Sequence, residues 1–341
     1  MRALVRHSFG TPDVLQVEEL PTPEPRPREV RIRVRAASLN LGDWELLTGR
    51  PRWITVLASL FAKRPNLTIP EPPDGTPAGR TPKFKVLGSD LAGTVEAVGG
   101  EVTRWKVGDD VFGDCGVGGF GAFAEAVCVS ERAALARKPA GLSFEDAAAL
   151  PQSGWIALQG LRDHARVEAG QHVLINGAGG GTGTLAIQLA KHYGATVTGV
   201  DGPEKQDLMR SLGADHVIDY RAEDFRANGQ RYDVILDMAA HESVLRTRRS
   251  LTEHGIYLLG GGAGKPSLQA CAGPVLSPFG RGRVKFLLAA SKTEDLDDLA
   301  RLHADGILAP LLDGTYSLEE ARDAFQRIGA GVALGKPVLV P

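Results

Sequence analysis

Cysteine is scarce in this chain: three in 341 residues, at Cys115, Cys128 and Cys271. No two form a CxxC pair and the number is odd, which argues against a disulfide framework and a structural zinc and fits a reducing cytoplasm. Long apolar runs are also missing. None reaches the ~18 residues of a membrane-crossing helix, and MRALVRHSFG at the start lacks an apolar core of signal-peptide length. No membrane association is expected. Charge of one sign is missing too: the net charge is −2, so nothing draws the chain to nucleic acid or an anionic surface. The eight histidines do not cluster, and no serine sits in a GxSxG elbow, so hydrolase chemistry has no support.

What is present is a globular composition, 43% hydrophobic and 23% charged, on a chain long enough for two domains. The first third reads as β-rich. Val30 to Val34 alternates apolar residues with arginine, and β-prone runs follow at Ala92 to Val98 and Ala122 to Val129. Helical spacing is scarce before residue 143. There SFEDAAAL opens a helix, with Ser143 as the cap and Asp146 three residues on. From Gln171 the pattern is strand, turn, helix, repeated: QHVLIN, TLAIQLAKHYG, ATVTGVD, EKQDLMRSL, HVIDY, then YDVILD, a helix from about His241, and GIYLLG. Such alternation means βαβ units on a parallel sheet. Ser317 and Glu320 form a capping box ahead of an amphipathic helix, and KPVLVP closes the chain as a strand expected to return to the N-terminal domain. Residues 50–85 are rich in proline, with Pro65, Pro70, Pro72 and Pro73 among them and an apolar patch from Ile54 to Phe61. They read as a surface loop with one short helix, or as a lid over an active site.

The strand VLIN runs into Gly177, Ala178, Gly179, Gly180, Gly181, Thr182 and Gly183, then a helix. The dinucleotide pattern GxGxxG asks for a tight turn, a glycine that lets backbone approach the pyrophosphate, and a glycine for close helix packing. Those positions fall on Ala178, Gly180 and Gly183, and a second strand ends at Asp201 as the motif requires. The helix start offers free N–H groups and partial positive charge to the pyrophosphate. Asp201 suits ribose hydroxyls and NAD, whereas nearby Lys205 suits a 2′-phosphate. The bland alternative for Lys205 is a solvated helix face.

Six segments together identify a family resemblance. They are ASLNLGDW at Ala37 to Trp44, VLGSDLAGTVEAVG at Val86 to Gly99, VGDDVFG at Val107 to Gly113, ALQGL at Ala157 to Leu161, VLINGAGGGTG at Val173 to Gly183, and LGADHVIDY at Leu212 to Tyr220. The chain resembles the medium-chain dehydrogenase/reductase superfamily, in its zinc-free quinone oxidoreductase, zeta-crystallin-like branch. The resemblance implies an α/β fold: a GroES-like, β-rich catalytic domain over 1–130, a Rossmann domain with a doubly wound parallel sheet over 131–265, and completion of the catalytic domain over 266–341. It implies an active site in the cleft, a homodimer, and NADP(H) contacts to the 2′-phosphate from Lys205 and Tyr220. Gly202, where relatives carry Ser or Thr, and the acid at Asp201 depart from that pattern and keep NAD(H) open. Zinc enzymes of the superfamily carry Cys near Asn40 and GHE where this chain has Gly88, Ser89 and Asp90, so no zinc or other metal is expected.

Hydride transfer without a metal needs a held nicotinamide and a polar contact to the acceptor oxygen. The expected catalytic set is Asn40, Asp43 and Glu45. Asn40 is either that polar contact or a turn residue bonding its own backbone. Trp44 is either a wall for a flat substrate or core. Glu45 replaces the Tyr or His of relatives, so it is either an acid tuned by burial or a position that has left catalysis. The expected cofactor set is Asn40, Ser153, Gly177, Ala178, Gly180, Gly181, Thr182, Gly183, Asp201, Lys205, Tyr220, Gly260 and Gly261. Ser153 either touches the nucleotide or is an N-cap. The leading expectation is an NAD(P)H-dependent reductase of a small quinone or activated C=C substrate. The alternatives are a zinc-free alcohol dehydrogenase or ketone reductase and a non-catalytic NADPH-binding protein.

Overall fold

In this computed structural model the described residues are 1–50, 82–261 and 282–341. Most of the proline-rich segment, including Ile54 to Phe61, and Cys271 lie outside them. Two compact units result: Met1–Gln152 with Ser291–Ala300 and Leu312–Pro341, and Ser153–Ala290 with Arg301–Leu311.

The first unit is built on strands. β1 (Arg2–Arg6) and β2 (Leu15–Glu19) pair antiparallel. β3 (Glu29–Ser38) leads into helix α1 (Leu41–Thr48), and β4 (Asp90–Val98), β5 (Asp110–Asp114), β6 (Ala126–Ser130) and β7 (Ala134–Arg137) follow. Val30, Ile32 and Val34 of β3 point into the core while the arginines between them do not, as the alternation predicts. Helical spacing is scarce before residue 143 and the one short helix expected there falls within residues 50–85, so α1 at Leu41–Thr48 is an addition. Pairing of β7 with β5 carries this unit past residue 130. Helix Phe144–Ala149 starts where expected, with Asp146 N–H donating to Ser143 Oγ at 3.0 Å.

The second unit carries β8 (His172–Asn176), β9 (Thr196–Asp201), β10 (His216–Asp219), β11 (Tyr232–Asp237), β12 (Leu251–Leu259) and β13 (Arg283–Phe286). They form one parallel sheet in the order β10-β9-β8-β11-β12-β13. β8 is apolar and buried through its centre, as a strand covered on both faces must be. The order reverses between β8 and β11, and doubly wound sheets bind ligands at the carboxyl ends beside that point. The helix expected from about His241 is short: Val244–Thr247, running on into a 3₁₀ turn at Arg248–Ser250.

The tail returns to the first unit. β14 (Leu312–Tyr316) pairs parallel with β15 (Lys336–Leu339), which pairs antiparallel with β3 through Val338 and Ser38. The Ser317–Glu320 capping box forms reciprocally, with N–H to side-chain distances of 2.9 and 3.3 Å, before helix Ala321–Gly329. No described helix is long and apolar enough to cross a membrane.

Candidate active site and nucleotide cradle

At the carboxyl end of β8 the chain turns sharply. Gly177 takes φ +82°, a left-handed conformation that glycine adopts without strain. The tight turn therefore falls on Gly177 and not on Ala178, the first motif position in the sequence reading. Gly177 and Ala178 both donate to Val200 O of β9, at 2.9 and 3.1 Å. Helix Gly181–His192 follows, and a Cβ on Gly183 would lie 2.2 Å from Gly177 O and 2.5 Å from Ala178 Cα. Gly183 thus lets the helix press against the turn. Gly180 differs: a Cβ there would meet only Gly177 O at 3.5 Å. No close contact among the described residues demands glycine at 180, and close approach by a ligand supplies a physical reason for it. Gly180, Gly181 and Thr182 are half-buried, and first-turn amides have no acceptor within a helix. This cradle fits a dinucleotide diphosphate.

Asp201 ends β9 with its carboxylate engaged. Oδ2 accepts from Gly179 N at 2.9 Å, and Oδ1 accepts from Gly202 N at 2.8 Å and faces Lys205 Nζ at 3.3 Å. Lys205 is only 4% exposed, its stem packed on Gly179, so it is not a solvated helix-face lysine. Tyr220 is 58% exposed, with its hydroxyl accepting from Arg221 Nε at 3.3 Å. Gly260 and Gly261 donate to Asp237 O at 2.9 and 3.1 Å. Ser153 is buried inside helix Pro151–Leu158, which excludes the N-cap alternative.

One group here escapes the sequence reading. Asp237, at the end of β11, accepts from Asn176 Nδ2 at the end of β8 (2.7 Å) and from the Tyr257 hydroxyl of β12 (2.7 Å). It ties the two halves of the sheet at the point where the strand order reverses. Burial pushes its carboxyl up. The available signal was polar residues ending adjacent apolar strands.

The first unit holds a second, buried polar cluster. Asn40 precedes α1, and its N–H donates to Asp43 Oδ2 at 2.9 Å. Asp43 Oδ1 accepts from Gly88 N at 3.1 Å, so Asp43 clamps the start of α1 to the chain entering β4. The Asn40 side chain reaches well beyond its own turn. Its Nδ2 donates to Asp90 Oδ2 at 3.0 Å and to Ser89 Oγ at 3.3 Å, and its Oδ1 accepts from Lys336 Nζ. Both amide protons are thus committed within the protein. Asp90 Oδ2 also accepts from Ser38 Oγ and Gln152 N and lies 3.5 Å from Lys336 Nζ.

Burial dominates the electrostatics of this cluster. It pushes Asp43 up to about 7, Asp114 up to about 8 with help from the Asp90 charge, and Asp90 upward as well. It pulls Lys336 down. Glu45, on α1, is raised to about 7 by burial, and its carboxylate makes no hydrogen bond among the described residues. Trp44 packs on Gly329, where a Cβ would lie 2.3 Å from its ring, so the core reading of Trp44 holds. The matching zinc positions are Asn40, Gly88, Ser89 and Asp90, and the Asp90 carboxylate is already surrounded by donors. Among the described residues no group of three or more His, Cys, Asp or Glu could hold a metal ion. Cys115 and Cys128 are unbridged thiols.

A doubly wound nucleotide cradle in one unit and a strand-rich second unit that the chain's tail completes define a two-domain dinucleotide-dependent class. Residues 26–140 match the alcohol dehydrogenase GroES-like domain, and residues 212–339 match the zinc-binding dehydrogenase domain. A chloroplastic quinone oxidoreductase, QR1, of Triphysaria versicolor is 31% identical over 95% of this chain and 93% of its own length. A 2-methylene-furan-3-one reductase of Solanum lycopersicum is 35% identical over 76% of this chain, and the match takes in 65% of that protein. The solved quinone oxidoreductase of Coxiella burnetii superposes with a TM-score of 0.85 at 30% identity, over 100% of this chain and 99% of the other. The chain belongs to the quinone oxidoreductase family of the medium-chain dehydrogenase/reductase superfamily.

Proposed function

We propose that this protein transfers hydride from NADPH to a quinone or to the activated C=C bond of an enone or enoyl compound, with no metal at the reacting carbon. The observation that carries the reading is the Gly177–Gly183 turn, whose Gly180 is not required by close packing among the described residues. The relatives' names, a quinone oxidoreductase and a 2-methylene-furan-3-one reductase, support conjugated carbonyl acceptors. NADPH is favoured over NADH because Asp201 is occupied by two backbone amides and Lys205, which leaves it poorly placed to hold ribose hydroxyls.

The bound nicotinamide supplies the hydride. Gly180 to Gly183 and the helix start would hold the diphosphate, and Asp237 with Asn176 steadies the ends of β8 and β11. Asn40 and Asp43 fix the start of α1 and act as positioning residues. Glu45, the member of the expected catalytic set whose carboxyl makes no hydrogen bond among the described residues, is the proton donor to the reduced acceptor. Its carboxyl still carries a proton near neutrality because burial disfavours the anion.

With an enone acceptor, kcat is expected to fall as pH rises through about 7. A Glu45→Gln variant should lose that dependence and about 100-fold in kcat, the lower end of what a positioned acid contributes. An unchanged profile and rate would make solvent the proton source and remove Glu45 from catalysis.

A further inference from the structure

We infer that Glu204 and Arg221 form a charge latch at the ribose end of the nucleotide cradle, and that Glu204 limits how strongly the protein prefers a 2′-phosphorylated dinucleotide. The inference deepens the proposed function and rests on the Gly177–Gly183 turn being a dinucleotide site. In doubly wound sheets, the residues just past the second strand of the nucleotide-binding half decide between ribose hydroxyls and a 2′-phosphate. An acid accepts from the hydroxyls, and a nearby arginine accommodates the phosphate. Here that strand is β9, ending at Asp201.

The acid at Asp201 is spent on Gly179 N, Gly202 N and Lys205. Three residues on, Glu204 folds back over the corner. A Cβ on Gly202 would lie 2.5 and 2.7 Å from its two carboxylate oxygens. Arg221 reaches the same place from β10, whose Asp219 is in register with Asp201. Its Nη2 donates to Glu204 Oε1 at 3.5 Å, and its Nε donates to the Tyr220 hydroxyl at 3.3 Å. The side chains of Glu204 and Arg221 are 37% and 54% exposed, so a ligand can reach both.

Two cations therefore flank the corner, each facing a carboxylate. Lys205 is buried, and its partner Asp201 is fixed by two backbone amides, so neither side chain moves freely. Arg221 is held to Glu204 by one long contact and is the cation able to change partners. A phosphate dianion offers its guanidinium a stronger, bidentate partner than this carboxylate does. Binding a 2′-phosphate must therefore draw Arg221 away from Glu204 and tolerate the Glu204 charge beside it. Binding an unphosphorylated ribose requires neither change.

The test is a fluorescence titration of NADPH and NADH against the wild type, Glu204→Gln, Arg221→Ala and the double variant. Glu204→Gln should tighten NADPH about 5- to 10-fold and move NADH by less than about 2-fold, the scale expected for one charge at a rim. Arg221→Ala should weaken NADPH about 10-fold, and the double variant should lose the gain of the glutamine. The glutamine gain should also shrink at high salt. If both nucleotides bind the wild type and Glu204→Gln leaves the ratio of their Kd values unchanged, the latch is wrong while the dinucleotide site stands. If the wild type binds neither nucleotide, the site and the latch both fail.

Discussion

A Gly183→Ala variant should lose about 100-fold in NADPH affinity, near the upper end of what overpacking costs. The added methyl would lie 2.2 Å from Gly177 O and 2.5 Å from Ala178 Cα. Both are backbone atoms of a turn already hydrogen-bonded to Val200 O, so neither gives way cheaply. The helix Gly181–His192 must back off, which carries its first-turn amides out of reach of the diphosphate. Gly180→Ala separates fold from function. Among the described residues its methyl meets only Gly177 O at 3.5 Å, so the unfolding temperature should hold while nucleotide affinity falls. Calorimetric unfolding and a fluorescence titration on both variants check this. Undiminished NADPH binding by Gly183→Ala would mean that the nucleotide does not lie on this turn.

Lys336→Met should destabilise the first unit by about 3–5 kcal/mol, the usual cost of leaving a buried charge without its partner. Lys336 is buried, 3.5 Å from Asp90 and bonded to Asn40, and the Asp43 carboxylate also acts on it. The loss should depend on pH. Asp43 and Asp114 are raised to about 7 and about 8, so the folded protein keeps protons that the unfolded chain releases near pH ~4. Stability from such groups is complete below that lower value and is lost as pH rises through the folded one. Asp90 is raised as well, and without the lysine it rises further and joins them. The deficit of Lys336→Met should therefore be larger at pH 8.5 than at pH 5.5 in calorimetric unfolding. Equal deficits at the two pH values would show that the lysine does not offset these carboxylates.

The sequence makes the second unit legible because its signals are local. VLIN, the glycine turn, the amphipathic helix and the strand ending at Asp201 are contiguous, and the structure joins them as their periods predict. The return of KPVLVP to β3 is likewise as expected. Helix α1 is not legible. It has eight residues, its Leu41 is exposed and its Trp44 faces Gly329, so no apolar stripe of helical period stands out. What starts it is the link between Asn40 N–H and the Asp43 carboxylate.

The buried cluster escapes for a different reason. Lys336 and Asn40 are 296 residues apart, and no local pattern pairs them. Asn40 reads in the sequence either as a polar contact to substrate or as a turn residue, because its partners Asp90 and Lys336 come from distant strands. Glu204 reads as the start of a helix face, and only the fold brings its carboxylate back over Gly202.

The most direct test of the account is deuterium transfer. The enzyme would be given an enone and NADPH labelled at nicotinamide C4, each of the two labelled faces in turn, in the presence of excess chelator. The account predicts reduced product with one deuterium at the β-carbon from one labelled face, a solvent-exchangeable proton at the α-carbon, and a rate indifferent to the chelator. Tight NADPH binding with no label at the β-carbon of any enone tried and no NADPH oxidation by any quinone tried, or activity abolished by chelation and restored by zinc, would contradict it.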